Sequence, residues 1–331
     1  MRIAVDGMGG DNAPDEVVKG CLEALDRSDK IEIALAGQRE LIEDIVRQQT
    51  GREPESFAPR LNICHAEQVV TMHDKSSTAL RRKKDNSITK CVELVKEGAA
   101  DAIITAGNTG AAVSIASHEL GMLKCVKRPG LAAPVPSKGG CCTVIDLGAN
   151  IVCKAQHLFQ YGIMASAYSE QVLGVKRPRV GLLNIGKEDS KGNSLIKDTN
   201  KLLQKADLNY VGYVEGNEMF LGGCDVAICE GFLGNALLKS IEGFSQNIIH
   251  SLLDELRAMG IAGEDKMEAV LNDIKERTDW SAYGGVPLLG VDGVLIIAHG
   301  KSNAVAIANS ISLAVQFARV KLNDLILARL A

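Results

Sequence analysis

Repeatedly along this chain a short apolar run stops at a polar turn rich in glycine or asparagine and gives way to an amphipathic segment. Ile3-Ala4-Val5 and Ala102 to Ala106 are strand-length runs. The segments after them carry apolar residues at helical spacing, as in Val17, Val18, Cys21, Leu22 and Leu25, or Ile88, Cys91, Val92 and Val95. This is the signature of βα units around a largely parallel sheet, and 33 glycines suit the many tight strand-to-helix turns such a fold needs.

Further strands are predicted at 31–36, 142–147, 180–185, 210–214, 225–229 and 294–298, and Pro14 is placed to open the first helix. Residues 50–85 are more polar and less regular. They predict loops with one short strand at 61–64, as a lid or partner surface. Between Gly243 and Arg277 a long helical region carries Ile248, Ile249, Leu252, Leu253, Leu256 and Met259, too apolar for a fully solvated face. A chain of 331 residues can form one large α/β unit or two packed lobes. With no Pro-, Gly- and Ser-rich linker to divide it, one unit over 1–331 is expected.

A net charge of -4 argues against a general nucleic-acid binder. The local run Arg81-Arg82-Lys83-Lys84 is either a solvated loop or a surface for an acidic protein partner. Nine cysteines, odd in number and without a C-x-x-C pair, read as reduced and mostly buried. With no secretory signal and no apolar stretch of about 20 residues, the chain is expected to be cytoplasmic.

The turns themselves carry the chemistry. Gly107-Asn108-Thr109-Gly110 lies between a strand and a helix, where main-chain N–H groups converge on an anion. A tight turn with a side-chain helix cap fits the same residues. Asp6 to Asn12, Asp146 to Asn150, Asn184 to Asn193 and Glu230 to Asn235 also follow strands, and turns at the carboxyl ends of parallel strands can meet in one crevice. Lys191, with Lys187, can neutralise phosphate or form a loop salt bridge. His299 can donate to an oxyanion, move a proton or make a structural hydrogen bond. The turn at Gly107 is not a Walker loop, and with no G-x-S-x-G elbow and no H-E-x-x-H the histidines have no triad-like or metal-like context, which disfavours a covalent Ser or Cys hydrolase and a metal site.

At these turns the chain resembles the acyl-acyl carrier protein:phosphate acyltransferases of bacterial phospholipid synthesis, the PlsX family. The resemblance runs through Ile3-Ala4-Val5-Asp6-Gly7-Met8-Gly9-Gly10-Asp11-Asn12-Ala13-Pro14, Ala106 to Ala111, Arg128-Pro129, Asp146 to Asn150, Val180 to Gly186 with Lys191-Gly192-Asn193, Gly231 to Asn235 with Leu238-Lys239, and Gly284-Gly285 through His299-Gly300. Lys187 stands where the family usually has an acidic residue, and Glu230 where it has Asp.

The resemblance implies a Rossmann-like three-layer α/β sandwich related to isocitrate and isopropylmalate dehydrogenases and to phosphotransacetylases. It implies a homodimer, joined through the helical region at about 236–277, and no cofactor. The implied reaction converts acyl-acyl carrier protein and inorganic phosphate to acyl phosphate. Gly107, Asn108, Thr109, Gly110, Asp6, Asp11 and Asn150 would bind phosphate, and Lys191, His299, Asn184 and Asn235 would stabilise the reacting charge. Arg81, Arg82, Lys83 and Lys84 would dock the carrier. A peripheral, reversible contact with the inner membrane surface would then serve a downstream membrane glycerol-3-phosphate acyltransferase. The rivals are a β-decarboxylating dehydrogenase, which would need nicotinamide and a divalent metal, and a non-catalytic acyl-carrier-binding scaffold.

Overall fold

The computed structural model describes residues 1–259 and 284–331. In chain order the first strands and helices are β1 (Arg2–Asp6), α1 (Asp15–Arg27), β2 (Glu32–Gly37), α2 (Arg39–Thr50), β3 (Leu61–His65), α3 (Ser76–Arg81), α4 (Ser87–Lys96), β4 (Ala102–Thr105) and α5 (Thr109–Glu119). There follow β5 (Gly130–Ser137), β6 (Gly140–Ile145), α6 (Ala155–Gln171), β7 (Val180–Leu183), α7 (Ser194–Leu203), β8 (Tyr210–Val214), α8 (Gly216–Phe220), β9 (Val226–Ile228) and α9 (Gly231–Ala258). After residues 260–283, β10 (Val286–Leu289), β11 (Leu295–Ile297), α10 (Ala304–Val320) and α11 (Leu322–Leu330) complete the chain. The expected helical region at 236–277 is described as far as α9, and its remainder lies outside the described residues.

The chain forms two compact units. In the first, residues 1–131, 170–174 and 284–331, the strands run β3-β2-β1-β4-β11-β10. The neighbours from β3 to β11 are parallel, and β10 is antiparallel to β11. Parallel register, with Asp6 opposite Ala36 and Ile297 opposite Thr105, brings the carboxyl ends of β2, β1, β4 and β11 to one edge. The turns after β1, β4 and β11 are therefore neighbours. Ile3, Ala4, Ile103, Ile104 and Ile296 are fully buried, as strands covered on both faces require.

The second unit, residues 132–169 and 175–259 of the described chain, orders its strands β5-β6-β9-β7-β8. β6, β9, β7 and β8 are parallel, and the turns after β6, β7 and β9 again share one edge. β5 and β6 form an antiparallel hairpin. Neither β5 nor β10 was predicted from the apolar pattern. Pro134 and Pro136 interrupt the strand signal in β5, yet at a spacing of two they remove N–H donors from a single edge and leave the other intact.

One helix contact shows how closely the first unit packs. Val17, Val18, Cys21, Ala24 and Leu25 bury one face of α1, and Gly20 on that helix meets α10. A Cβ at Gly20 would lie 2.6 Å from the Ala304 carbonyl oxygen and 2.6 Å from Ile307 Cβ. Gly243 in α9 has nothing within 4 Å. Two Gly→Ala changes in helices should therefore have opposite signs in denaturant unfolding. Gly20→Ala should lose about 1–3 kcal/mol to overpacking, and Gly243→Ala should gain about 0.5–1 kcal/mol from helix propensity.

Candidate functional site

In the first unit two of the three strand-end turns are tied to each other through Asp6, which is 1% exposed. The Thr105 hydroxyl donates to Asp6 Oδ2 at 2.6 Å and accepts the Gly107 N–H at 3.0 Å, while the Met8 N–H donates to Asp6 Oδ1 at 3.1 Å. Burial raises the Asp6 carboxyl above its ordinary value, against the hydrogen bonds that lower it. Gly9 has to be glycine here, since a Cβ would sit 2.3 Å from Asp6 Oδ2 and 2.7 Å from the Gly107 nitrogen. The third turn joins through the Asp11 N–H, which donates to the Gly300 carbonyl at 2.7 Å.

Asn108 caps α5. Its Oδ1 accepts the Ala111 N–H at 3.0 Å, and its Nδ2 donates to the carbonyls of Thr71, Met72 and Asp74 at 3.2, 3.2 and 2.9 Å. The cap expected as one alternative is thus present, and it leaves the Asn108 side chain engaged in the fold. The first main-chain N–H groups of α5, at Asn108, Thr109 and Gly110, have no partner within the helix, and Thr109 and Gly110 are exposed. A Cβ on Gly110 would lie 2.7 Å from Ser76 Oγ, so a side chain there would push against α3.

Asp6 is an acceptor with both oxygens engaged, and the Asp11 carboxylate carries the same sign of charge as phosphate. Both act on the architecture of the turn. His299 Nδ1 accepts the Lys301 N–H at 3.1 Å, so a neutral ring carries its proton on Nε2.

The basic run divides. Arg81, Arg82 and Lys84 are exposed, but Lys83 Nζ donates to Asp74 Oδ2 at 2.6 Å and to the Val69 carbonyl at 2.8 Å. Lys83 thereby anchors the same 71–74 segment that Asn108 holds.

The second unit repeats the device. Asp146, fully buried at the end of β6, accepts N–H groups of Gly148 at 3.1 Å, Ala149 at 3.0 Å and Asn150 at 2.8 Å. Asn150 Nδ2 donates to the Tyr161 hydroxyl at 2.9 Å, and the Asn150 carbonyl accepts the Gly231 N–H at 3.0 Å, so Asn150 too has a positioning role. A Cβ at Gly234 would lie 1.9 Å from the Asp146 carbonyl oxygen, which holds the turns after β6 and β9 together.

Asn184 Nδ2 donates to the Gly186 carbonyl at 2.9 Å, shaping its own loop. Lys187 pairs with Glu218 at 2.5 Å, which raises its ammonium pKa, whereas Lys191 is exposed with no ion-pair partner among the described residues. The exposed Asn235 lies against Gly148. Lys191 and Asn235 are thus both exposed at the strand-end turns of this unit. The sequence reasoning missed Thr105 and singled out Asp146 only as part of a turn. The signal was a polar residue closing an otherwise apolar buried strand, as in Ala102-Ile103-Ile104-Thr105.

Residues 1–324 match the model of the fatty acid synthesis protein family. The phosphate acyltransferase of Desulforamulus reducens is 42% identical over 315 residues, covering 95% of this chain and 92% of that protein. The chain belongs to this family, and it is an enzyme, an acyltransferase. Among solved structures, a phosphotransacetylase from Streptococcus pyogenes superposes with a TM-score of 0.64 at 13% identity, over 97% of this chain and 94% of that one. A 4-hydroxythreonine-4-phosphate dehydrogenase from Klebsiella pneumoniae follows at a TM-score of 0.50 and 13% identity, over 96% and 97%. At such identity these likenesses concern the fold, and they agree with the Rossmann-like kinship expected from the sequence.

The hydrogen bond from Lys83, then that from the Thr71 N–H, holds the Asp74 carboxyl down at about 2 from an ordinary 3.8. A depressed carboxylate stabilises the fold above its unfolded value and loses that contribution as pH falls toward about 2. Carboxyl NMR should find the Asp74 midpoint near 2, and Lys83→Met should move it back toward 3.8. An unmoved midpoint would mean that Lys83 does not hold the segment.

Proposed function

We propose that the chain transfers the acyl group of an acyl-acyl carrier protein directly to inorganic phosphate, without a covalent acyl-enzyme. A phosphate oxygen attacks the thioester carbonyl, a C–O bond forms, and the tetrahedral intermediate expels the carrier thiolate, which takes up a proton. The products are acyl phosphate and free carrier. The observation that carries this reading is the α5 start, where the N–H groups of Asn108, Thr109 and Gly110 are left over once Asp6, Thr105 and the Asn108 side chain have built the turn.

In the first unit His299 is assigned to the oxyanion, and in the second unit Lys191 is assigned the positive charge and Asn235 a donor role, each unit taken by itself. Gly107, Asp6, Asp11, Asn150 and Asn184 hold these groups in place. Acyl phosphate formed from acyl carrier protein and labelled phosphate by the purified chain is the direct test. Lys191→Ala should lower turnover by roughly 10²-fold or more. Full turnover in both Lys191→Ala and Asn108→Ala would overturn the assignments, and binding without turnover in the unsubstituted chain would favour a scaffold.

The exposed cations Arg81, Arg82 and Lys84 are the part of the basic run left to meet an acidic carrier. Arg81→Glu with Arg82→Glu should raise KM for the acyl carrier and leave KM for phosphate in place, and an unchanged carrier KM rejects the docking role.

Among the described residues no single helix is long and apolar enough to cross a membrane. Phe244, Ile248 and Leu252 are nonetheless exposed along α9, which suits a homodimer interface with a peripheral lipid contact at one tip. Such a contact would place the product near a membrane glycerol-3-phosphate acyltransferase. Leu256→Glu should leave the dimer intact in sedimentation yet lose vesicle flotation if its neighbourhood touches lipid, and loss of the dimer assigns it to the interface instead.

A further inference from the structure

Ser302 stands in the third turn of the first unit, between His299 and α10, with 7% of its surface exposed. Its hydroxyl has no hydrogen-bond partner among the described residues. Three other polar groups of the turn have partners. The Ser302 N–H donates to the His299 carbonyl at 2.9 Å, the Ala304 N–H to Glu16 Oε2 at 2.6 Å, and Asn303 Oδ1 caps the Ala306 N–H at 2.9 Å. The start of α10 is thus closed by protein groups, and the hydroxyl is the donor left over.

The placement of this turn gives that hydroxyl a use. The Ala298 N–H donates to the Thr105 carbonyl at 2.8 Å, and a Cβ on Gly10 would lie 3.1 Å from the Gly300 carbonyl oxygen and 3.3 Å from Ala106 Cβ. Residues 298–300, just before Ser302, are therefore packed against the end of β4, from which Asn108, Thr109 and Gly110 follow. A buried hydroxyl without a partner is unfavourable and rare, and such a group calls for a ligand to satisfy it.

We propose that Ser302 is a further phosphate ligand, its hydroxyl donating to an oxygen of the inorganic phosphate held at the start of α5. The inference rests on the acyl-transfer reading above. Because the hydroxyl makes no bond to the described residues, turning between staggered positions breaks none among them. It gains a charge-assisted bond to an anionic oxygen.

The test compares Ser302→Ala with the unsubstituted full-length chain by thermal melting, in inorganic phosphate and in sodium chloride of matched ionic strength, and by steady-state kinetics. Without phosphate the variant should melt at or above the unsubstituted chain, since it removes an unsatisfied buried group. In phosphate its melting temperature should rise less, and its KM for phosphate should increase about tenfold or more with KM for the acyl carrier unchanged. An equal phosphate response and KM overturns the assignment. So does a fall in kcat alone, which would place the hydroxyl on the oxyanion, and so does a lower melting temperature without phosphate, which would mean the hydroxyl already serves the fold. If the unsubstituted chain neither responds to phosphate nor forms acyl phosphate, the acyl-transfer reading fails, and Ser302 falls with it.

Discussion

The buried contact between Asp6 and Thr105 is the constraint on which the first unit's site depends. A carboxylate removed from water has to be met by donors, and here one of them is a hydroxyl that also accepts the Gly107 N–H. The contact joins the ends of adjacent parallel strands, and it admits no side chain at Gly9. Asp146 imposes the same condition on the second unit, where three successive N–H groups turn toward one carboxylate and Gly234 passes against its carbonyl. Each unit thus fixes its functional turns by a carboxylate that faces inward.

That arrangement engages many polar side chains of the turns within the fold. Asn108, Asn150 and Asn184 have amide groups that suit anion binding, but each is tied to backbone or side-chain partners nearby. In the first unit the turn leaves the start of α5 exposed at Thr109 and Gly110, and in the second Lys191 and Asn235 are exposed. Rigid turns presenting few donors suit a reaction in which the enzyme orients an anion and offsets developing charge. The 71–74 segment, held by Asn108 on one side and Lys83 on the other, belongs to this same framework.

Much of the architecture could be read in advance because its signals are local. Strands β1 to β4, β6 to β9 and β11 follow from short apolar runs, and the amphipathic faces of α1 and α4 from helical spacing. The strands β5 and β10 escaped because their pairing is antiparallel and, in β5, because two prolines hide a strand whose hydrogen bonds lie on one edge. At the site, the anion turn at Gly107 to Gly110 was legible from its glycines and its place between strand and helix. The division of labour among its neighbours was not. Whether Lys83 docks a partner or holds Asp74, and whether Lys187 or Lys191 has a free ammonium, depends on residues distant in sequence.

By itself, then, the amino-acid sequence determines the βα rhythm, the turns at the strand ends, the class of anion chemistry those turns allow and the family to which the chain belongs. Only the tertiary structure decided which polar groups face inward as supports and which remain to meet a substrate. Hydrogen-bond satisfaction is a property of neighbours in space: Thr105 meets Asp6 across 99 positions of chain, and Asn108 reaches back more than 30 residues to the 71–74 carbonyls. The hydroxyl of Ser302, unpartnered among the described residues, became visible in the same way, once three other polar groups of its turn had been paired.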